Sequence, residues 1–376
     1  MAPLRRLVVG DVAARRQVRV DGSVWGGPRY SRAMSASVCP SHPEAGALPL
    51  FVATDSITGE RFDLVQCDSC TLARTDPQPT GEELSRYYPT GYHASTKRYR
   101  FGLDSTLALV LRSRVRRIER LTGGPGRVLD VGCGPGGLLK LMARRGWETR
   151  GTERSESAAL QARTEHGLDV RAEELEAIVA EGATFDAVVL WHVAEHLPDP
   201  AKTFGEIARL LRPGGVLMVG VPNFGSPESR IGGAGWFHLD VPRHLFHFTK
   251  ATLGRMLAEA GFVTREKTYL ALEYDVFSFV QTFENRSGLP FNLLYNVVRR
   301  SESRLVHRQH DAARAALAVV AAVPLSAIAI AWAPIAAALR ASSTMTIYAQ
   351  RPLVASASEA DAASASQPRD HRSPAT

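Results

Sequence analysis

The sequence predicts an α/β fold built on a doubly wound sheet, because strand-like and helix-like segments alternate from residue 127 onward. In the stretch 127–137 a short apolar run ends in an acid, and four glycines then turn the backbone into a helix with an apolar face. The fourth strand, Phe185–Trp191, carries the apolar run of a strand covered on both faces. A glycine turn between a strand and a helix lets backbone N–H groups approach a polar ligand closely. The core is therefore expected to bind a ligand at this turn.

Composition bounds the class of protein. The chain has 376 residues, of which 45% are hydrophobic and 22% are charged, as in a globular protein with a core. Its net charge of +7 favours anionic surfaces or substrates, although a solvated arginine face explains it equally well, and we expect no nucleic-acid partner. The four cysteines and the absence of an apolar leader at the start indicate a reducing, cytoplasmic location.

Two short knuckles near the N-terminus predict a zinc site. Cys39-x-x-His42 and Cys67-x-x-Cys70 together offer three thiolates and one imidazole, the donor set of a tetrahedral Zn²⁺. The segments 48–52 and 61–66 between them predict the hairpin of a zinc ribbon. Since protein ligands fill all four positions, the zinc is expected to be structural. The alternative is three unpaired cysteines and a surface histidine.

A capping helix is predicted over 104–121, with Asp104 or Ser105 as its N-cap. Five arginines of this helix are expected to point outward, towards solvent or phosphate: Arg112, Arg114, Arg116, Arg117 and Arg120. The remaining core elements follow in order as strands 148–153, 169–171, 216–221 and 262–272. Helices are predicted over 155–166, from Asp199-Pro200 to Leu211, and over 250–261 after the Thr249 cap.

Acidic residues at the ends of the first two core strands narrow the choice of ligand. Asp130 precedes the first glycine of the turn, where its carboxylate would repel a pyrophosphate but attract the cationic end of S-adenosylmethionine (SAM). Glu153 ends the second strand, where an acid can accept hydrogen bonds from ribose hydroxyls. Glu173 or Glu174, after the third strand, can reach the adenine amino group. The glycine spacing by itself would also suit a dinucleotide.

Successive motifs between residue 127 and about residue 222 resemble those of class I SAM-dependent methyltransferases. These motifs are V-L-D-V-G-C-G-P-G-G, Glu153, F-D-A-V-V-L-W-H-V-A-E-H-L-P-D-P and L-L-R-P-G-G-V-L. The resemblance implies a Rossmann-like, seven-stranded doubly wound sheet and a bound SAM. It places Asp130, Gly132, Gly134 and Glu153 at the cofactor. The expected cofactor-binding residues also include Cys133, Glu174 and Trp191. Glu173 departs from the glycine common at its position.

The ribbon and the segment G-W-F-H-L-D-V-P-R-H-L-F-H-F-T at 235–249 resemble a branch with sugar C-methyltransferases and quinone-type O-methyltransferases. This segment carries His238, Asp240 and His244, and an imidazole oriented by Asp240 is a candidate base for the acceptor. The alternative is a lid held together by ion pairs and hydrogen bonds.

Two more histidines, His192 and His196, leave the carboxyl end of the fourth strand over the ligand crevice. They are candidate catalytic groups, with a packing role as the alternative. Together with Glu195 they match an inverted zinc-protease motif. That motif requires one continuous helix, which Pro198 makes improbable here.

Residues 273–342 are predicted to associate with a membrane surface. An aromatic, amphipathic stretch is followed by 25 residues without a charge, 315–339, which is long enough to span a bilayer. A last core strand over 343–351 argues against a single crossing, because it must return to the same sheet. Pro324 and Pro334 suggest a helical hairpin lying in one leaflet. The alternative is an Ala-rich helical pair in a dimer interface.

The sequence therefore predicts a SAM-dependent methyltransferase that acts on an oxygen or carbon of a sugar, a quinone-like molecule or a lipid-linked acceptor. It is expected at the inner membrane face, peripheral or monotopic, and its oligomeric state stays open. An NAD(P)-dependent oxidoreductase and a non-catalytic zinc-ribbon membrane scaffold are the alternatives. Seven segments are expected: disordered residues 1–35, a ribbon 36–75, a linker with capping helices 76–126, the core 127–272, the insertion 273–342, the last core strand 343–353 and a disordered tail 354–376.

Overall fold

The computed structural model describes residues 37–88, 104–299 and 312–353. The segments 1–35 and 354–376, for which disorder is expected, lie outside the described residues.

An antiparallel sheet forms the N-terminal part of the described chain. Its strands are β1 (Ala47–Thr54), β2 (Arg61–Cys67) and β3 (Ala73–Asp76), with β2 between the other two. The turn from β1 to β2 closes when the Asp55 carboxylate accepts hydrogen bonds from the backbone N–H and the hydroxyl of Thr58, each at 2.7 Å. The predicted hairpin is confirmed. The short helix α1 (Gly81–Leu84) follows it.

The core is a second sheet of seven strands. In chain order its members are β4 (Arg127–Val131), β5 (Glu148–Thr152), β6 (Val170–Arg171), β7 (Phe185–Trp191), β8 (Leu211–Pro222), β10 (Val263–Thr268) and β11 (Thr344–Gln350). Their spatial order is β10-β11-β8-β7-β4-β5-β6, with parallel pairing from β6 to β8. Strand β11 runs antiparallel to both of its neighbours. The predicted seven-stranded doubly wound sheet is confirmed, although the sixth strand ends at Thr268 rather than at residue 272.

The two-residue strand β9 (Phe246–His247) lies between β8 and β10 in the chain but does not join the core sheet. It pairs antiparallel with β3, so the N-terminal sheet has the order β1-β2-β3-β9. A segment of the 235–249 loop is thus a strand of the ribbon sheet.

Helices cover both faces of the core sheet. They are α2 (Asp104–Thr122), α3 (Gly137–Ala143), α4 (Glu156–His166), α5 (Leu175–Ala180), α6 (Pro200–Leu210), α7 (Pro227–Gly232) and α8 (Lys250–Glu259). Side-chain oxygens of Ser155, Asp199 and Thr249 cap the helices that follow them, and the last two confirm predicted caps. Buried residues such as Ile118, Leu129 and Phe204 fill the layers, each stabilising the fold by about 1.5–3 kcal/mol.

In the described part of the insertion between β10 and β11, the helices are α9 (Leu272–Arg286), α10 (Leu293–Arg299) and α11 (Ala312–Ala338). The predicted helical hairpin is wrong, because α11 continues through Pro324 and Pro334. Each proline removes only one backbone hydrogen bond, and both are exposed on the outer face of the helix. On the inner face, alanines before and after the prolines are buried, so tertiary packing holds one helix together.

The outer face of α11 is apolar and open. By length and composition α11 could cross a membrane, with a mean hydropathy of 2.2 and 11% of its apolar window buried in the protein. Nine large exposed side chains lie on it or just beyond its end: Leu317, Val319, Val320, Val323, Ile328, Ile330, Trp332, Ile335 and Leu339. Length and composition are weak evidence by themselves, and they do not separate a membrane contact from a protein contact.

Candidate functional site

The glycine turn after β4 has the left-handed backbone that its sequence requires. Gly132 and Gly134 have φ angles of 69° and 55°. A Cβ atom on Gly132 would lie 2.6 Å from a methyl group of Val193, so the turn leaves no room for a side chain there. The N–H of Cys133 donates to the carbonyl of Thr152 at 2.9 Å and ties the turn to β5. The backbone of this turn is therefore held in one conformation at the carboxyl end of the sheet.

Glu153 lies over this turn. Its two carboxylate oxygens accept hydrogen bonds from the N–H of Gly134 at 2.8 Å and from the N–H of Ser155 at 2.7 Å. The second contact is at the N-terminus of α4, where a negative charge is favoured. Each oxygen keeps a further lone pair, so the carboxylate can still accept hydrogen bonds from two hydroxyl groups.

Asp130 is buried at the end of β4, beside Gly151 of β5 and Val189 of β7. Burial, together with the negative charge of Glu153, raises the pKa of Asp130 to about 8. Among the described residues, none donates a hydrogen bond to this carboxyl group. A cationic ligand stabilises the ionised form of such a buried carboxyl group, and the cationic end of the expected SAM fits this requirement.

The other three expected cofactor contacts are placed differently. The Sγ atom of Cys133 lies over Gly151, next to the turn. Glu174 is exposed at the start of α5, 3.9 Å from Arg154, and Glu173 is bound instead by Arg150. The ring of Trp191 lies against Gly220 of β8. The cofactor roles of Cys133, Glu174 and Trp191 stay predictions.

Trp191 has a partner that the sequence did not reveal. The Arg114 guanidinium lies 3.4 Å from the centre of its indole ring and is paired with Glu273 of α9. The expectation that Arg114 points outward is wrong, because its side chain is only 6% exposed. The alternation of arginines along α2 could not show which one α9 would cover.

His192 follows β7 with a φ angle of 55°, a rare value for a residue other than glycine. This backbone brings its Nδ1 atom to 3.0 Å from a carboxylate oxygen of Glu195. The opposite atom, Nε2, is buried and has no hydrogen-bond partner among the described residues. The ring stacks on Tyr274 with 4.2 Å between centroids. Tyr274 stood out in the sequence only as one of several aromatic residues of the insertion.

His238 lies opposite His192. The two rings are stacked with 6.0 Å between centroids, and within the described part of the chain Nε2 of His238 is also buried without a hydrogen-bond partner. Burial lowers the pKa of each imidazole to about 3, so both are neutral. Two unpaired ring nitrogens next to one tyrosine indicate a polar site that lacks a ligand group.

His196 and His244 form a second group with Glu195. Ligand atoms of the three residues lie within 4.8 Å of one another. The Nδ1 atoms of His196 and His244 lie 2.8 Å from the carbonyls of Arg243 and His238, which leaves each Nε2 atom available. One carboxylate oxygen of Glu195 is buried, and no described residue donates a hydrogen bond to it. These donors fit a divalent cation.

Asp240 is bound by Arg243. Its carboxylate accepts two hydrogen bonds from the guanidinium, at 2.9 and 2.7 Å. Burial by itself would raise the pKa of Asp240, but the positive charge of Arg243 holds it well below its ordinary value. Main-chain carbonyls accept from or lie beside the Nδ1 atoms of His196 and His244, and the orienting role expected of Asp240 stays a prediction.

The N-terminal cluster fits the expected zinc. The ligand atoms of Cys39, His42, Cys67 and Cys70 lie within 4.8 Å of one another. All three cysteines are buried and unbridged, and the Nδ1 atom of His42 is buried without a hydrogen-bond partner. Four converging soft and borderline donors match tetrahedral Zn²⁺.

Comparison with known proteins agrees with this geometry. Residues 103–267 match a family model described as a methyltransferase domain. The chain is 33% identical over 204 residues to the ubiquinone biosynthesis O-methyltransferase of Alkalilimnicola ehrlichii, covering 50% of this chain and 75% of that protein. It is 34% identical over 191 residues to the enzyme of the same name from Aromatoleum aromaticum, covering 47% and 81%. For the one from Parvibaculum lavamentivorans, the match covers 39% of this chain and just over half, 56%, of the relative.

Solved structures with a similar chain path include the [4+2]-cyclase SpnF, at 18% identity and a TM-score of 0.44 over 73% of this chain and 98% of that one. Magnesium protoporphyrin IX methyltransferase from Synechocystis with bound SAH has 18% identity and a TM-score of 0.39, over 49% and 89%. Likenesses at this level add nothing to the assignment, which rests on the sequence relatives and the site.

The sheet order, the glycine turn and its two acids define a SAM-binding methyltransferase core. The chain belongs to the class I SAM-dependent methyltransferases. This family membership sets aside the oxidoreductase and the non-catalytic scaffold.

Proposed function

We propose that this protein transfers a methyl group from SAM to a hydroxyl oxygen of a small, quinone-like acceptor. The observation that carries the proposal is that the donor-side acids and the acceptor-side histidines lie at one edge of the core sheet. Asp130 and Glu153 lie at the ends of β4 and β5. His192 follows β7 and His238 belongs to the 235–249 loop, and among the described residues the Nε2 atom of each has no hydrogen-bond partner. The relatives named for ubiquinone biosynthesis favour an oxygen of a quinone-like ring over a sugar or a carbon acceptor.

On the donor side, Asp130 would hold the cationic amino-acid end of SAM, and Glu153 would accept hydrogen bonds from its ribose. The turn 132–134 would contact the amino-acid part through its backbone. When bound, SAM supplies a methyl group on a positively charged sulfur, which needs a nucleophile in line and little acid catalysis. The protein therefore has to orient the acceptor and remove its proton.

On the acceptor side, His192 is the proposed base. With Glu195 ionised, Nδ1–H of His192 donates to the carboxylate and Nε2 carries the free lone pair. As the new C–O bond forms and the C–S bond breaks, the hydroxyl proton would pass to Nε2 of His192. Because burial lowers the pKa of this imidazole, the transfer depends on the Glu195 carboxylate, which would stabilise the imidazolium by accepting from Nδ1–H. His238 would accept a hydrogen bond from a second polar group of the acceptor.

Glu195, His196 and His244 are proposed to hold a divalent cation beside this base. Such a cation would act as a Lewis acid on the acceptor oxygen and lower its pKa. Zn²⁺ at Cys39, His42, Cys67 and Cys70 is proposed to be structural, because protein atoms supply four ligands.

The outer face of α11 is proposed to lie on an anionic membrane. Strands β10 and β11, on either side of the insertion, are neighbours in one sheet, so the insertion starts and ends on the same side of any membrane. Arg314 near the start of α11 and Arg340 just beyond its end can bind lipid phosphates. A monotopic position on the cytoplasmic face of the inner membrane would suit a lipid-soluble acceptor.

Transfer of labelled methyl groups tests the proposed reaction. The purified protein is incubated with methyl-labelled SAM and, separately, with a catechol-type quinol, a sugar nucleotide and a membrane lipid extract. Label is expected in an O-methylated quinol. His192→Gln is expected to lower kcat about 10²- to 10⁴-fold while SAM still binds. Label confined to the sugar nucleotide, or no transfer by protein that binds SAM, would overturn the assignment.

Repeating this assay with and without divalent metal ions separates the role of the His192 base from that of the proposed cation. Removal of loosely held divalent ions should lower the rate, and added Mg²⁺ or Mn²⁺ should restore it in the wild type but not in His196→Ala. A rate that is indifferent to these ions would contradict the proposed cation and leave His192 to act without it.

A further inference from the structure

Main-chain pairing joins the ribbon sheet to the 235–249 loop, the histidine loop. In β9, His247 pairs with Ala73 and Phe246 pairs with Arg74 of β3. The N–H of Thr75 donates to the carbonyl of Leu245 at 3.0 Å, which extends this contact by one residue. The loop that carries His238 and His244 therefore returns to the core through the edge of the ribbon.

One buried hydroxyl group lies at the centre of this junction. The side chain of Thr75 is fully buried, and its Oγ1 atom lies 2.7 Å from the carbonyl oxygen of His244 and 3.2 Å from Nε2 of His247. A threonine hydroxyl has one hydrogen to donate and can accept others. Since a carbonyl can only accept, the hydroxyl hydrogen goes to His244, and His247 must donate from Nε2 to Thr75. This arrangement selects the Nε2–H tautomer of His247.

Other contacts hold the same loop from the ribbon side. The side-chain amide of Gln78 donates to the carbonyl of Leu245 at 2.9 Å. Arg243 is buried and pairs with Asp55, which closes the turn from β1 to β2, at 2.7 Å. Arg243 also donates to the carbonyl of Tyr87 at 3.0 Å. Both anchors are side chains that join the 235–249 loop to the ribbon or to the segment that follows it.

We propose that Thr75 is a positioning residue through which the ribbon places the acceptor-side histidine loop. Its hydroxyl group fixes the position of the His244 backbone by donating to the His244 carbonyl. It also selects one tautomer of the His247 ring by accepting from Nε2–H. The ribbon is then part of the acceptor site rather than a separate binding module. The catalytic consequence rests on the proposed methyl transfer, whereas the hydrogen-bond pattern can be tested without it.

A pair of substitutions isolates the hydroxyl group. Thr75→Val keeps the branched shape and removes both hydrogen bonds, and Thr75→Ser keeps the hydroxyl group. Thr75→Val is expected to lower kcat for the quinol about 10-fold or more, with the Kd for SAM and the zinc content unchanged. Thr75→Ser is expected within about threefold of the wild type, and so is Thr264→Val, an exposed control on β10.

Nitrogen NMR of the histidine rings gives a readout that does not depend on catalysis. His247 is expected as the Nε2–H tautomer in the wild type and in Thr75→Ser, and as a mixture in Thr75→Val. If the wild type transfers no methyl group but shows this pattern, the proposed function fails and the positioning contact stands. If Thr75→Val matches the wild type in kcat and in tautomer, the positioning role is wrong.

A second variant distinguishes a specific effect on the loop from a general folding defect. Gln78→Leu removes a different ribbon-to-loop hydrogen bond at a partly exposed position. It is expected to lower kcat in the same direction and by less, again without changing the Kd for SAM. Equal loss of SAM affinity and kcat in Gln78→Leu and in Thr75→Val would indicate a general folding defect and overturn the proposal.

Discussion

Asp130 and Glu153 illustrate how two neighbouring carboxylates divide one task. Backbone N–H groups of the turn and of the start of α4 hold Glu153 in place. Asp130 has no donor among the described residues, and the nearby charge of Glu153 adds to the effect of burial on its pKa. The protein thus keeps a buried carboxyl group whose ionised form a bound cation would stabilise.

The raised pKa of Asp130 predicts that SAM binding releases a proton. Without ligand, a group with a pKa of about 8 is mostly protonated at pH 7, and the cationic donor favours the ionised form. Affinity for SAM should therefore rise with pH up to about 8, by at most about tenfold per unit, and then level off. Calorimetry in buffers of different ionisation enthalpy measures the released proton.

Asp130→Asn is the control for this experiment. The amino group of SAM titrates in both proteins, so the difference between them isolates the carboxyl group. The variant should bind SAM more weakly and lose the pH-dependent part of the affinity. Equal proton release in the two proteins at pH 7 would show that Asp130 is already ionised without ligand.

At the scale of one element, α11 has two faces of different chemistry. Small alanines face the rest of the protein, with Ala318 packed among Val280, Leu293 and Leu294. Large aliphatic side chains and Trp332 face outward. Close packing on one side and open apolar surface on the other suit a helix that lies flat at an interface.

Charge on the outer face of α11 is predicted to release the protein from membranes. Val320→Glu with Val323→Glu changes two side chains that are 67% and 71% exposed, so the fold should keep its Tm within a few degrees. Binding to anionic phospholipid vesicles should fall by about tenfold or more in a sedimentation assay. Leu160→Glu, an equally drastic change on α4, should leave binding unchanged.

The same variant separates a lipid partner from a second copy of the chain. If α11 covers itself in a dimer, the wild type will not bind vesicles, and light scattering will show a dimer that the double glutamate variant breaks. That result would contradict the membrane proposal.

For the whole molecule, the two sheets meet at the acceptor side rather than at the donor side. The glycine turn and its acids belong to the core sheet alone, whereas β9 places the histidine loop against the ribbon. Loss of the ribbon should therefore affect the acceptor site first. The donor site should keep its structure, because the hydrogen bonds of the glycine turn and of Glu153 run to β5 and to the start of α4.

Zinc content tests this division. The wild type should contain about one Zn²⁺ per chain by atomic emission, and Cys67→Ser should release it, with a large loss of methyl transfer and a small change in the Kd for SAM. Cys133→Ser should retain the metal, since Cys133 lies beside the donor turn and not in the cluster. Folded wild-type protein without metal would contradict the structural zinc.

The sequence by itself determined the class of fold, the donor turn and the cysteine knuckles, because these depend on residues close together in the chain. Asp130 lies two positions before Gly132, and each zinc knuckle spans four residues, so spacing alone carries the chemistry. The alternation of strands and helices likewise records local burial at each step.

Only the tertiary structure decided which distant side chains meet. It brought His192 beside His238 and Tyr274, and it buried Arg114 against Trp191. It also kept α11 whole through two prolines and joined β9 to the ribbon. These outcomes depend on packing between elements far apart in the chain, whose energies exceed local preferences and leave no periodic signal in the sequence.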